Sequence, residues 1–139
     1  MATPAMVSLL ACVSGLYDLL VGAFLLLAAD RMASLFGVAP PTPRIFSDLN
    51  GLFLIAVGVG YYLPWREPLR YRGYMWVMGP LLKGGGALAF LGDYVFRGSP
   101  ASFLVFAASD GTLALLTWWA LRSEGAEEVE VAEDDKPQG

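Results

Sequence analysis

Four ionisable side chains stand out in four otherwise apolar stretches of the chain: Asp18, Asp48, Lys83 and Asp110. The third stretch also holds Asp93, which is predicted to pair with Arg97 four residues further on. Burying such a side chain in a bilayer is costly, so it normally faces a partner inside the protein and marks a packing or functional site. Counted along the stretches, Asp18, Lys83 and Asp110 fall at mid-depth. We therefore predict a buried cluster in which Lys83 pairs with Asp110 or Asp18. Asp48, about one turn from the end of its stretch, and Asn50 are predicted to form the outer mouth of this cluster.

Three roles for this cluster are consistent with the sequence. Ion pairs between helices can serve packing alone. Alternatively, Lys83 binds an anionic or carbonyl group of a small molecule, with Asp18 and Asp110 setting the charge of the site. The third role follows from the excess of carboxylates over cations, because carboxylate clusters that share protons occur in proton relays.

The stretch around Lys83 also contains residues that bend a helix. Gly79 and Pro80 precede the lysine, and a proline inside a helix removes a backbone hydrogen bond and kinks the helix. Three consecutive glycines follow it: Gly84, Gly85 and Gly86. The pattern predicts a hinge, or a place where another group approaches the backbone. The alternative is that these glycines only allow close packing against the second stretch, which is also rich in glycine.

Catalytic chemistry is limited by the absence of histidine and by the single cysteine, Cys12. Histidine-ligated metal or haem, a Ser-His-Asp or Cys-His site and a CxxC redox pair are excluded for this chain alone. No catalytic residue, metal ligand or cofactor is predicted, and the leading interpretation is not an enzyme. Nothing in the sequence suggests nucleic-acid binding.

The apolar stretches are long enough to cross a membrane as helices, which requires about 20 residues each. Hydrophobic residues form 56% of the chain and charged residues 16%, whereas soluble domains carry about 25% charged residues. The predicted spans are residues 5–29, 45–63, 74–96 and 101–121. In the first span small and polar residues recur at spacings of three and four, a pattern typical of closely packed membrane helices: Ser8, Ala11, Gly15, Asp18 and Gly22. The predicted fold is all-α, an integral membrane four-helix bundle formed by residues 1–122.

Seven of the thirteen acidic residues follow Ser123, so residues 123–139 are predicted to be a disordered acidic tail. With four spans, both termini lie on one side of the membrane. That side holds most loop arginines and lysines and a belt of aromatic residues: Trp65, Trp76, Trp118, Trp119, Tyr61, Tyr62, Tyr71 and Tyr74. Both termini are therefore predicted to be cytoplasmic. In the first loop, Met32, Leu35 and Phe36 suggest either a segment lying in the membrane interface or a plain connection.

Three polar positions resemble the DoxX-like superfamily and related small bacterial four-helix membrane proteins. They are Tyr17-Asp18 in the first span, Asp48-Leu49-Asn50-Gly51 opening the second, and Lys83-Gly84 in the third. The resemblance covers residues 5–121. DoxX is a subunit of a thiosulfate:quinone oxidoreductase, so the resemblance implies a helper subunit in bacterial redox or envelope chemistry. The missing cysteine pair and histidine argue against direct electron transfer by this chain.

The leading functional hypothesis is a non-enzymatic protein of the bacterial inner membrane that acts as an accessory or stabilising subunit of a larger membrane assembly, with a redox assembly as one option. Its expected partners are membrane lipid and a larger membrane protein. The alternative is a small-molecule or proton-coupled binding or transport site around Lys83, acting as a homo-oligomer. A third hypothesis places a quinone ring at the aromatic-rich inner end.

Overall fold

The computed structural model describes residues 4–134, with side chains described for residues 4–123. All regular structure in these residues is helical. The elements in chain order are α1 (Pro4–Leu27), α2 (Ala29–Phe36), α3 (Ile45–Gly60), α4 (Tyr62–Arg66), α5 (Arg72–Trp76), a π-helix (Val77–Lys83), α6 (Gly84–Arg97), a 3₁₀ turn (Ala101–Phe103) and α7 (Leu104–Asp134).

Three helical segments are long and apolar enough to cross a membrane: Pro4–Leu27, Ile45–Arg66 and Ala101–Ser123. They correspond to three of the four predicted spans and support a membrane protein. The predicted span 74–96 is helical without interruption over residues 72–97, but the π-helix divides it. Its longest α-helix, α6, has 14 residues, fewer than the roughly 20 that cross a bilayer. The fourth span therefore stays a prediction.

The predicted disordered tail, residues 123–139, differs from the structure over its first part. Helix α7 continues to Asp134. Five of the eleven residues 124–134 are glutamate, a good helix former, and extending an existing helix avoids the cost of nucleation. Residues 135–139 lie outside the described part of the chain.

Helices α1 and α3 approach each other at two levels through glycines. A Cβ atom on Gly22 would lie 2.7 Å from the carbonyl oxygen of Gly51, and one on Gly15 would lie 3.0 Å from that of Gly58. These distances are shorter than ordinary van der Waals contacts, so the two backbones touch. The small-residue stripe of the first span is therefore confirmed as a helix-packing surface.

One end of the bundle, which we call the closed end, is filled by a hydrophobic core. The core consists of Val7, Leu10, Ala11, Val57, Tyr61, Met75, Ala120 and Leu121. Tyr61 is only 1% exposed and packs edge-on against Tyr74 at 5.4 Å between ring centroids. Tyr74 donates a hydrogen bond of 2.8 Å to the carbonyl oxygen of Val57. The prediction that Tyr61 belongs to an interfacial belt is therefore wrong, because its neighbours enclose it. Trp65 and Trp118 remain exposed.

Three of the four glycines around Lys83 face α7, and the fourth, Gly85, has no neighbour within 4 Å of its Cβ position. A Cβ atom on Gly79 would lie 2.6 Å from Thr117 Cγ2, and one on Gly84 would lie 3.7 Å from the Cβ of Ala114. The interpretation that they pack against the second span is wrong, because the glycines of α3 already contact α1. Pro80 lies inside the π-helix, a wide turn that is frequent at functional sites. Motion at this predicted hinge stays a prediction.

Candidate functional site

An ion-pair triad joins three elements in the interior of the bundle. The ammonium Nζ of Lys83 lies 2.6 Å from Asp18 Oδ1 and 3.4 Å from Asp110 Oδ1. The side chains of Lys83 and Asp18 are each 4% exposed, and that of Asp110 is 16% exposed. The predicted pairing of Lys83 with Asp110 or Asp18 is thus found with both partners. We call these three residues the triad.

Each member of the triad is positioned by its own helix. Asp18 lies on α1 between Gly15 and Gly22, where α1 contacts α3. Lys83 is the last residue of the π-helix. Asp110 lies on α7, and a Cβ atom on Gly86 would be 3.6 Å from its Oδ2. The absence of a side chain at Gly86 therefore leaves space beside this carboxylate.

Tyr17 contributes a further contact to the lysine. The Nζ atom of Lys83 lies 4.7 Å from the centroid of the Tyr17 ring, within range of a cation–π interaction. Ser109 Oγ donates to the carbonyl oxygen of Val105 at 2.9 Å. Because a serine hydroxyl has one proton, Ser109 accepts from the Tyr17 hydroxyl, at 2.9 Å. The ring is thus fixed beside the ammonium.

A cavity of about 460 Å³ extends from the triad away from the closed end. Ligand pockets are typically about 300–1,000 Å³ and mostly apolar, with a few polar groups that orient the ligand. Here the triad supplies charge, Ser47 and Asn50 of α3 supply neutral polar groups, and the remaining lining is largely apolar. Representative apolar lining residues are Val21, Leu25, Leu54 and Leu82.

Four phenylalanines from α2, α6, the 3₁₀ turn and α7 form one wall of this cavity, which we call the aromatic wall: Phe36, Phe90, Phe103 and Phe106. Phe36 stacks on Phe103 and Phe106 at 5.3 and 5.0 Å between centroids, and Phe90 lies 5.3 Å from Phe106. Sequence reasoning missed this wall as a site. The only local signal was the spacing of Phe103, Phe106 and Asp110 along one face of a helix.

Helix α2 covers the cavity. Met32, Ala33 and Phe36 line it, and Ser102 Oγ donates to the Phe36 carbonyl oxygen at 2.8 Å. Leu35 points the other way and is 76% exposed. The first loop therefore contains a helix whose inner face lines the cavity, and the position of this segment at the membrane interface stays a prediction.

Asn50 and Asp48 were both predicted to lie at the outer mouth of the polar cluster, but the structure places them on different faces of α3. Asn50 lines the cavity, but Asp48 does not. The Nε atom of Arg44 lies 3.8 Å from Asp48 Oδ1, and the same guanidinium lies 3.4 Å from Asp30. Asp48 lies outside the cavity, because the face of α3 toward the cavity runs through Ser47 and Asn50, which are about 100° and 160° from Asp48 around the helix.

The third sequence hypothesis put a quinone ring at the aromatic-rich inner end. That end is the closed end, where Tyr61 and Tyr74 fill the space between the helices. The quinone hypothesis stays a prediction, and the aromatic wall lies beyond the triad in the other direction. In residues 4–123, no group of three histidine, cysteine, aspartate or glutamate side chains is placed to hold a metal ion.

The predicted pair of Asp93 and Arg97 is confirmed, with 3.1 Å between Oδ1 and the guanidinium. It lies at the exposed end of α6 and takes no part in the cavity. Cys12 is a free, partly buried thiol.

Comparisons with protein-family models, with curated proteins and with solved structures find no match to this chain. The resemblance to the DoxX-like superfamily therefore rests on Tyr17-Asp18, Asp48-Leu49-Asn50-Gly51 and Lys83-Gly84 alone.

Proposed function

We propose that this protein binds a small amphiphilic molecule inside the membrane. The polar group of the ligand meets the triad, and its apolar body lies along the aromatic wall. The observation that supports this proposal most directly is a cavity of about 460 Å³ that ends on Lys83 and Asp110.

A purely structural role explains this cavity poorly. Protein interiors are packed as densely as organic crystals, and voids much larger than a water molecule are rare. An ion-pair cluster that serves only to join helices is expected to be enclosed by packed side chains. Here Asp110 remains 16% exposed and lies beside unfilled space, which favours a binding site.

Filling the cavity is expected to abolish binding. Leu54 lines the cavity from α3, so Leu54→Trp adds a large side chain to this space. Leu52→Trp is the matched control, because Leu52 is 52% exposed on the same helix. After mild-detergent purification from native membranes, small molecules are released by denaturation and identified by mass spectrometry. We expect wild type and Leu52→Trp to release one amphiphile that is not a major lipid of the membrane, and Leu54→Trp to release none of it.

The same small-molecule composition in all three preparations, or only bulk lipid in each, would contradict the proposal. Thermal unfolding of both tryptophan variants shows whether each is folded. A folded Leu54→Trp protein that retains the amphiphile would place its binding outside the cavity.

The accessory-subunit hypothesis is a second proposal, set in the bacterial inner membrane with both termini cytoplasmic. It is supported by α6, in which no residue is fully buried. Leu88 and Phe96 of this helix are among the most exposed apolar side chains, so the helix offers a face to lipid or to another subunit. Purification with an N-terminal tag tests it. A stoichiometric larger membrane protein would support the hypothesis, whereas a chain isolated alone or as a homo-oligomer would contradict it.

A further inference from the structure

We infer that the ligand of this cavity is an organic cation, an ammonium or phosphonium compound with an apolar, preferably aromatic, body. The inference rests on the proposed binding function and names the ligand's chemical class. It differs from the anionic or carbonyl ligand expected when Lys83 is considered alone.

The charge of the cavity lining favours a cationic ligand. The charged side chains that line the cavity are Asp18, Lys83 and Asp110. Two carboxylates and one ammonium have a net charge of −1 when all three are ionised. An uncompensated charge in a low-dielectric interior is costly, and a cationic ligand removes this excess. An anionic ligand would increase it.

The two carboxylates share Lys83 unequally. Lys83 and Asp18 form a close pair at 2.6 Å, and both are nearly inaccessible. Asp110 is farther away, at 3.4 Å, and more exposed. Its Oδ2, the oxygen beside Gly86, accepts no hydrogen bond from the residues that the structure describes. The charged group left for a ligand is therefore the Asp110 carboxylate.

The aromatic wall begins about one helical turn from Asp110. Phe106 precedes Asp110 by one turn of α7, and Phe90 follows Gly86 by one turn of α6. An α-helical turn rises about 5.4 Å, so a ligand whose charge meets Asp110 extends directly along these rings. The wall offers an aromatic surface to the body of the ligand. The carboxylate sets the sign of the ligand's charge.

Two ions of the same shape and opposite charge test the inference. Tetraphenylphosphonium and tetraphenylborate both carry four phenyl rings, and triphenylphosphine oxide is a neutral aromatic acceptor. Each is titrated into the purified protein in non-ionic detergent, with Leu54→Trp as the background for partition into micelles. We expect wild type to bind the phosphonium at least about tenfold more tightly than the borate, because the net negative charge of the triad attracts one ion and repels the other.

Neutralising variants identify the carboxylate. Asp110→Asn is expected to weaken phosphonium binding about tenfold, since the triad becomes neutral and no longer attracts the cation. Asp48→Asn makes the same chemical change outside the cavity and is expected to leave binding unchanged. Circular dichroism melting shows whether both variants are folded. The comparison of the three probes on wild type does not depend on any variant, so it tests the inference even if a variant fails to fold.

The outcomes separate the inference from the proposed function. Tighter binding of the borate or the phosphine oxide, or equal phosphonium binding by wild type and folded Asp110→Asn, would overturn the cation inference and leave a binding cavity. If none of the probes binds above the Leu54→Trp background, the cation inference is overturned. If, in addition, no amphiphile is released from native preparations, the proposed binding function fails as well.

Discussion

Lys83→Met is expected to destabilise the folded protein by about 3–5 kcal/mol, the usual cost of removing one partner from a buried ion pair. Methionine keeps the length of the side chain but removes the charge, so Asp18 loses its partner at 2.6 Å while it remains nearly inaccessible. Asp110 loses its cation as well. The free energy of unfolding can be measured by steric trapping in bicelles, with wild type measured in parallel.

A double-mutant comparison shows whether this loss comes from the stranded carboxylate. Adding Asp18→Asn to Lys83→Met removes the more deeply buried of the two stranded carboxylates, so the double variant is expected to lose less than the two single changes added together. Asp93→Asn is the control at an exposed pair, whose partner Arg97 is largely in solvent; such pairs contribute little. A Lys83→Met protein as stable as Asp93→Asn would show that the triad is not needed for folding.

The structure gives the two carboxylates of the triad different surroundings, so structural and binding interpretations of the cluster are compatible. The close and buried pair of Lys83 and Asp18 joins the π-helix to α1. Asp110 has a longer contact and lies beside the cavity. We therefore expect changes at Asp18 to act mainly on stability and changes at Asp110 mainly on binding.

The triad could be predicted from the sequence because depth in a membrane helix follows from residue number. Each residue advances the helix by about 1.5 Å, so Asp18, Lys83 and Asp110 were placed at one level without knowledge of the packing. The small-residue stripe of α1 was predictable for a similar reason, since spacings of three and four define one face. These features depend on local geometry alone.

The aromatic wall could not be predicted in this way. Phe36, Phe90 and Phe106 come from three helices, and nothing local shows that their rings meet. Asp48 was misplaced because depth was considered without the direction of the side chain around α3, where Arg44 one turn away pairs with it. Tyr61 was misplaced because an aromatic residue near a helix end suits both an interface and a core. Tertiary packing decides each of these cases.

Gly22→Ala is expected to destabilise the protein by about 1–3 kcal/mol, the usual cost of overpacking a filled interior. The added methyl would lie 2.7 Å from the carbonyl oxygen of Gly51 and 3.0 Å from the backbone nitrogen of Ile55. Both atoms belong to the backbone of α3, which cannot move aside as a flexible side chain can. The two helices must therefore separate, and a lower free energy of unfolding in bicelles is the expected measurement.

Gly85→Ala is the same substitution at another position, and we expect it to stabilise the protein. A Cβ atom on Gly85 would meet no atom within 4 Å, and alanine is favoured over glycine inside a helix by about 0.5–1 kcal/mol. Helix propensity also favours alanine at Gly22, so the difference between the two variants isolates the contact with α3. Equal stabilisation by both substitutions would mean that α1 and α3 are not in backbone contact, and Asp18 would then lose the packing that positions it beside Lys83.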